Sequence, residues 1–204
     1  MMAQKDPIDF WFSIGSLYAY LSVMRLDRIE DMSEIRFRWR PFSIRAIMTE
    51  MDNRPASRPA KLAYMWRDIA RRAQMYDFEF SGRPPYPLQN FDFANRIAIV
   101  GARENWCPDY VRATYRRWFL DHQEAGSEPN VTESLKEIGQ DAARVTALAQ
   151  SEEIGRAYDA ATGEARGLGI FGVPSFVTRG EVFWGDDRLD DAMRWHDTAT
   201  LKAV

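Results

Sequence analysis

The chain has 204 residues, 46% of them hydrophobic and 28% charged, which fits one globular domain or a domain with a large insertion. Its 27 Lys and Arg residues against 30 Asp and Glu residues give a net charge of −3, so neither nucleic acid nor an anionic membrane is an expected partner. The single cysteine, Cys107, excludes an internal disulfide, a Cys-x-x-Cys redox pair and a cysteine zinc cluster.

The compartment is inferred from the first residues and from hydropathy. Met1 to Pro7 are polar and lack the apolar core of a signal peptide, and no later run has the length needed to span a bilayer. We therefore expect a cytoplasmic protein. The two histidines, His122 and His196, lie far apart in stretches of helical pattern. We interpret both as solvated residues on helix surfaces and expect no metal site.

The first predicted element is a buried strand over residues 8–14, because its apolar residues alternate along one face. Gly15 and Ser16 break this strand. From Tyr18 to Ile29 apolar residues recur at helical spacing, which places Ser16 at the N-cap or in the first turn of a helix.

A second strand is predicted over residues 35–41, where Arg36, Arg38 and Arg40 alternate with apolar residues. Three arginines on one face can indicate a phosphate binder. We favour the solvated face of an edge strand, since like charges protect such an edge from pairing. Strand, helix and strand at this spacing predict a right-handed parallel crossover.

The middle of the chain carries helical stripes and no predicted strand. The helices are predicted over residues 59–77, 91–104, 108–124, 132–139, 141–149 and 152–167. After the last of them, Gly167-Leu-Gly-Ile-Phe-Gly172 spells G-x-G-x-x-G. A dinucleotide site needs this motif between a strand and a helix. Here a helix precedes it and a strand follows, so we interpret it as a helix end and a loop.

The end of the chain returns to β structure. Val173 to Thr178, a turn at Arg179 and Gly180, and Glu181 to Trp184 predict an antiparallel hairpin, and residues 187–195 predict a closing helix. A βαβ start, a helical insertion and a ββα finish predict an α/β, thioredoxin-like fold. Its thioredoxin-like domain would comprise residues 1–58 and 168–204, with an inserted helical domain over 59–167.

Three segments together resemble the 2-hydroxychromene-2-carboxylate isomerase family, which includes the kappa-class glutathione transferases and belongs to the DsbA-like thioredoxin superfamily. They are Phe10-Trp-Phe-Ser-Ile-Gly-Ser-Leu-Tyr-Ala-Tyr-Leu21, Phe171-Gly-Val-Pro-Ser-Phe176 and Phe183-Trp-Gly-Asp-Asp-Arg-Leu189. Further agreement lies in Asn53-Arg-Pro, Lys61, Tyr64, Asp68, Pro87-Leu-Gln-Asn90 and Ala94-Asn-Arg96. The similarity runs from about Ile8 to about Met193.

The resemblance implies that Ser16 stands where redox relatives carry their first cysteine, and that its hydroxyl binds the sulfur of glutathione. A free thiol has a pKa of about 8.5 and is mostly protonated at neutral pH. A helix N-terminus plus one hydroxyl donor lowers such a pKa by about two units, or about 2.7 kcal/mol. No His or Lys neighbours Ser16 to deprotonate it, so we expect a thiolate stabiliser. The alternative is a plain N-cap serine.

The resemblance also implies the remaining binding residues. Val173 would pair with glutathione through its main chain. Composition alone favours a trans bond before Pro174, whereas its position in the family favours a cis bond. Asp187, with Asp186 beside it, would hold the γ-glutamyl ammonium, although a plain helix cap is a serious alternative for both. Asn53 and Lys61 would reach the same site, and Phe42, Asn53 and Tyr86 are the candidate residues of the substrate pocket.

Two positions depart from the family pattern. Ser16-Leu17-Tyr18 stands where Ser-Pro-Tyr or Ser-Pro-Phe is usual, and Ser13 stands where an Asp is common. We expect the loss of the proline to leave the helix cap intact while altering the entry of the helix.

The implied activity is a glutathione-dependent isomerisation in aromatic catabolism, by a homodimer. The glutathione thiolate would add reversibly to an unsaturated aromatic-derived acid and be released unchanged. Two alternatives stay open: a kappa-class-like glutathione transferase or peroxidase, and a non-catalytic module that binds glutathione or a peptide. A dithiol–disulfide oxidoreductase is excluded, because it needs a second thiol.

Overall fold

The structure is a computed structural model that describes residues 6–201. The sequence-based expectation about the first residues lies largely outside this range. No helix within the described part of the chain is both long and apolar enough to cross a bilayer.

The described residues form four strands and nine α-helices, with two short 3-10 helices. The strands are β1 Ile8–Phe12, β2 Phe37–Pro41, β3 Ser175–Thr178 and β4 Glu181–Trp184. The helices are α1 Leu17–Met32, α2 Ile44–Glu50, α3 Pro59–Met75, α4 Phe91–Glu104, α5 Cys107–Leu120, α6 Asn130–Glu137, α7 Ala142–Gln150, α8 Glu152–Gly167 and α9 Leu189–Thr198. The 3-10 helices are Pro55–Ser57 and Asp186–Arg188.

The strands form one mixed sheet in the order β2-β1-β3-β4. β1 pairs in parallel with β2 and antiparallel with β3, and β3 pairs antiparallel with β4. The predicted crossover and hairpin are therefore confirmed, as is the thioredoxin-like fold with its helical insertion. All four strands lie outside residues 59–167, and α3 to α8 lie within them.

β1 lies in the middle of the molecule, and each of its residues except Asp9 is buried. The Phe10 ring lies 5.0 Å from the Trp39 ring and 5.4 Å from the Phe176 ring, so three strands share one aromatic cluster. On the other face Trp11 packs edge-to-face on Phe42 at 5.6 Å. Burial on both faces explains why β1 reads as a nearly continuous apolar run.

β2 is an edge strand, as the arginine pattern predicted. Its arginines are paired as well as solvated. Arg38 forms a two-pronged bond with Asp9, with Nη2 to Oδ2 at 2.8 Å. Arg40 pairs with Glu164 and covers the Trp11 ring at 4.7 Å. The charged face thus ties the sheet edge to α8.

Three features differ from the sequence-based expectations. α2 was not predicted, because a helix of seven residues gives little periodicity. The interpretation of His196 was wrong: only 5% of it is exposed, and its Nδ1 lies 2.8 Å from the Thr178 hydroxyl. His122 is exposed but lies after the end of α5, with φ of +58°, and so not on a helix surface.

Asn95 of α4 joins the helical insertion to the end of β1. Its side chain is fully buried, its Oδ1 accepts from the Ile14 amide at 2.7 Å, and its Nδ2 donates to the Ile14 carbonyl at 2.9 Å. Nδ2 also donates to the Phe91 carbonyl at 2.8 Å. One amide side chain thereby satisfies both backbone groups of a buried residue that lies beyond the strand.

We predict that Asn95→Ala lowers the free energy of unfolding by about 3 kcal/mol, because it leaves the buried amide and carbonyl of Ile14 without partners. Urea denaturation measures this loss. The control is Asn90→Ala at the start of the same helix, whose exposed side chain bonds only Ser127 among the described residues. Equal losses for the two variants would contradict the role of Asn95.

Candidate active site

A tight turn over residues 13–16 connects β1 to α1. The Ser16 amide donates to the Ser13 carbonyl at 3.1 Å, and Gly15 has φ of +112°. A Cβ on Gly15 would lie 2.7 Å from the Phe91 ring, so both the backbone conformation and the close approach of α4 require glycine.

Ser16 is the N-cap of α1, as predicted. Its Oγ accepts from the Ala19 amide at 3.2 Å and donates to the Val173 carbonyl at 3.3 Å. The Val173–Pro174 peptide bond is cis, as the position of Pro174 in the resembling family implies. The first turn of α1 and the loop before β3 therefore meet at the Ser16 hydroxyl.

These residues open onto a cleft of about 530 Å³, within the size range of ligand sites for small molecules. Its walls come from the start of α1, from α2 and α3 with the segment between them, from the segment before α4, and from the loops that flank the hairpin β3–β4. Within residues 6–201 no group of three His, Cys, Asp or Glu side chains is arranged to hold a metal ion.

Most of the sequence-predicted site residues meet at this cleft. Those that line it are Ser16, Lys61, Tyr86, Val173, Asp186 and Asp187. Asn53 is not among the described residues that line the cleft, but its Oδ1 accepts from Lys61 Nζ, a lining residue, at 3.1 Å. Pro174 follows Val173 directly, and its carbonyl accepts from the Gly185 amide at 2.9 Å.

Phe42 is not brought to the cleft. It is fully buried against Trp11 in the core beside the sheet, and it is absent from the described residues that line the cleft. The next residues of the chain turn away from the strand to begin α2, whose Ile44, Arg45 and Met48 line the cleft instead.

The two neighbouring aspartates have different surroundings. Asp186 is 2% exposed, and its carboxylate accepts from Ser22 at 2.9 Å, Tyr76 at 2.8 Å and Arg25 at 3.3 Å. Asp187 is exposed in the cleft beside Arg188, at 3.6 Å. Three hydrogen bonds within the protein thus occupy most of the acceptor capacity of Asp186, whereas the Asp187 carboxylate is exposed at the cleft.

Sequence reasoning missed two arginines, Arg45 and Arg54, which line the cleft beside Tyr86. Burial lowers the pKa of Arg45, and the charge of Arg54 lowers it further. Burial raises the pKa of Tyr86, and both arginines oppose that rise. Arg45 donates to the Leu88 carbonyl at 2.8 Å and lies over the Phe91 ring at 4.1 Å. Neither arginine has a carboxylate partner within 4.0 Å among the described residues, so no carboxylate neutralises the positive charge in this part of the cleft.

Tyr18 closes another part of the cleft by joining α1 to α3. Its hydroxyl donates to Asp68 at 2.9 Å, and Asp68 also accepts from Arg71 and Arg72. Burial, with the bond to Asp68, raises the pKa of Tyr18 well above its usual value. The Tyr18 hydroxyl therefore stays a donor and its partner Asp68 stays ionised.

Both departures from the family pattern are accommodated. Leu17, where a proline is usual, is buried at the first position of α1, and the Ser16 cap is intact as expected. Ser13 is buried, donates to the Phe42 carbonyl and accepts from the Ile44 amide at 3.0 Å. A small hydroxyl here serves as the link between β1 and the start of α2.

The sheet, its helical insertion and the serine beside a cis proline define a thioredoxin-fold protein of the DsbA type. A model of the DSBA-like thioredoxin domain matches residues 7–194, and the chain belongs to this family.

Similar proteins are named as enzymes. The 2-hydroxychromene-2-carboxylate isomerase of Sphingobium xenophagum is 25% identical over 191 residues, which cover 90% of this chain and 94% of that protein. Glutathione S-transferase kappa 1 of Caenorhabditis elegans is 33% identical over 85 residues, 41% of this chain and 38% of that protein. A solved 2-hydroxychromene-2-carboxylate isomerase structure, 22% identical, shares the fold with a TM-score of 0.83 over 97% of this chain and 100% of that one.

We predict that Asp186→Asn lowers the free energy of unfolding by about 3 kcal/mol, since it removes one partner of a buried ion pair. Asp190→Asn is the matched control: Asp190 pairs with the same Arg25 at the same 3.3 Å, but its side chain is 79% exposed. The control should cost less than about 0.5 kcal/mol. Urea denaturation of both variants checks the difference, and similar losses would show that burial does not decide the effect.

Proposed function

We propose that this protein is a glutathione-dependent isomerase of the 2-hydroxychromene-2-carboxylate isomerase type. The observation that carries the proposal is the Ser16 hydroxyl at the N-terminus of α1, beside the Val173 carbonyl and open to a cleft with unpaired cations. Bound glutathione would supply a thiolate that adds reversibly to an unsaturated aromatic-derived acid and is released unchanged, so that no oxidant or reductant is consumed.

The residues of the cleft fit glutathione in charge and in hydrogen-bonding capacity. A carboxylate of glutathione suits Lys61, and its ammonium suits the exposed Asp187. Asp186 accepts three hydrogen bonds from the protein and would act chiefly by holding the loop that presents Asp187. The main chain of Val173 can pair with an extended peptide.

Ser16 would stabilise the anionic form of a bound thiol. Its hydroxyl hydrogen is directed to the Val173 carbonyl at 3.3 Å, a long bond that can be exchanged for a bond to sulfur. The Ala19 amide holds the same oxygen in place, and the positive end of α1 favours a negative charge beside it.

Arg45, Arg54 and Tyr86 would bind the carboxylate of the substrate. Burial and the charge of Arg54 both lower the pKa of Arg45, so an anion bound beside the two arginines would offset an unfavourable charge, and Tyr86 would add a hydroxyl and a ring at the same place. Apolar lining from Met48 and Met65 suits the carbon skeleton of an aromatic-derived acid.

A cytoplasmic homodimer completes the proposal. Its support is the family resemblance and the chain's one cysteine, which is buried and unpaired, as suits a reducing compartment. Sedimentation equilibrium of the purified protein tests the dimer, and a monomer at micromolar concentration would contradict it.

We predict that Ser16→Ala raises the thiol pKa of bound glutathione by about one unit, the share of one charge-assisted hydrogen bond. Less thiolate then exists at neutral pH, so turnover falls about tenfold and its pH optimum moves upward, while the affinity for glutathione stays within about twofold. Ultraviolet absorbance of the thiolate during a pH titration measures the pKa, and calorimetry measures the affinity.

The matched control is Ser151→Ala, because Ser151 caps α8 with the same contact, to the Ile154 amide, and does not line the cleft. Each variant should lose about 1 kcal/mol of stability, and only Ser16→Ala should change the thiol pKa. Absence of glutathione binding at millimolar concentration would refute the proposed function. Stoichiometric consumption of glutathione would favour a transferase, and unchanged turnover in Ser16→Ala would favour a binding module.

We predict that Arg54→Gln raises the KM for an anionic substrate by about tenfold or more, with kcat nearly unchanged, because one charge-assisted hydrogen bond of at least about 1.5 kcal/mol is lost. The effect should shrink as salt is added. Arg58→Gln is the control, since Arg58 is exposed nearby and donates to the Asp52 carbonyl outside the cleft. Steady-state kinetics at two salt concentrations measure the KM of each variant. An equal KM for wild type and Arg54→Gln would exclude Arg54 from the substrate site.

A further inference from the structure

Besides Asn95, which bonds Ile14, one hydroxyl of the helical insertion contacts both ends of the turn over residues 13–16. Tyr115 of α5 is fully buried, and its Oη donates to the Ser13 carbonyl at 3.1 Å and to the Ser16 carbonyl at 3.0 Å. These carbonyls lie at the two ends of the turn. A single donor shared between them fixes the span from the end of β1 to the N-cap of α1.

The Tyr115 ring is itself fixed by its neighbours. Its centroid lies 6.1 Å from Tyr20 of α1, 5.7 Å from Trp118 and 6.1 Å from Phe119. Tyr20 in turn stacks on Phe119 at 3.9 Å. This packing restricts movement of the Tyr115 ring, so its hydroxyl holds the two carbonyls of the turn at a fixed position.

Tyr115 has no access to the cleft and no acid–base role. It is absent from the described residues that line the cleft. Burial raises the pKa of its hydroxyl far above the usual value, and hydrogen bonds with the backbone of Gly15 and Ser16 only partly oppose that rise. The hydroxyl stays protonated throughout the neutral range, and it acts as a permanent donor.

We propose that Tyr115 is a positioning residue, which sets the direction of the Ser16 hydroxyl by fixing both ends of the turn from the helical insertion. The geometry of the turn stands without a ligand. Its consequence for a bound sulfur rests on the proposed function.

The physical link runs through two carbonyl acceptors, that of the buried Ser13 and that of the half-buried Ser16. Without the Tyr115 hydroxyl, the Ser13 carbonyl keeps the Ser16 amide, and the Ser16 carbonyl keeps only its helical bond. The turn can then open, and Ser16 Oγ shifts relative to the Ala19 amide and the Val173 carbonyl, which it now contacts at 3.2 and 3.3 Å. Shifts of this scale in a group that orients a reacting atom are costly to rate.

The test compares Tyr115→Phe with Tyr110→Phe, which removes a buried hydroxyl from the same helix. The Tyr110 hydroxyl makes no hydrogen bond to the turn within the described structure. Both variants keep their rings and should unfold cooperatively. In the ligand-free protein, amide hydrogen exchange at Gly15 and Ser16 should be about tenfold faster in Tyr115→Phe and unchanged in Tyr110→Phe.

A second readout uses the protein loaded with glutathione. In Tyr115→Phe the thiol pKa of bound glutathione should rise by about half a unit, which is about threefold less thiolate at neutral pH, while affinity stays within about twofold. Wild-type exchange rates together with a wild-type thiol pKa in Tyr115→Phe would overturn the proposal, as would equal changes in Tyr110→Phe. If wild type binds no glutathione, the proposed function fails, whereas the exchange rates still decide the role of Tyr115.

Discussion

The site depends on one constraint: a turn that is buried between a sheet and a helical insertion must find partners for its backbone groups. Within the insertion, Asn95 satisfies the amide and carbonyl of Ile14, and Tyr115 bridges the carbonyls of Ser13 and Ser16. Gly15 meets the same demand by omitting a side chain where α4 approaches. The insertion is therefore part of the site's framework, since it holds the serine that β1 and α1 present.

The charge of the cleft depends on which of its acidic and basic side chains are paired within the protein. Asp186 and Asp68 form hydrogen bonds that connect elements of the fold. Asp186 accepts from Ser22, Arg25 and Tyr76, and Asp68 accepts from Tyr18 and two arginines. Arg45, Arg54 and Lys61 have no carboxylate partner within 4.0 Å in the part of the chain that the structure describes. If these basic residues were paired with carboxylates, the positive charge of the cleft would be neutralised. Their pairing pattern leaves positive charge in the cleft, which favours anions, and leaves the Asp187 carboxylate exposed.

The sequence predicts the parts of this arrangement that depend on local pattern. Alternation gave β1, the spacing after Gly15 gave the Ser16 cap, and the turn at Gly180 gave the hairpin. Contacts between distant residues leave no such pattern: Tyr115 lies 99 positions from Ser16, and its aromatic stripe reads only as core. The same limit explains the differences at Phe42 and His196, which are both buried in the structure. A sequence pattern predicts an apolar strand or a helix, but it does not predict which other element packs on each residue.

The chain itself has no cysteine that could supply a reactive thiol to the cleft. Its one cysteine, Cys107, is fully enclosed at the start of α5, where burial raises the pKa of the thiol, and it does not line the cleft. Such a thiol is neither ionised nor accessible at neutral pH. Sulfur chemistry in this cleft therefore has to come with a ligand, and a hydroxyl at the N-cap suits that arrangement. Under the proposed function, this hydroxyl would donate to the thiolate of the ligand and form no disulfide with it, so that the thiolate would be free to attack the substrate.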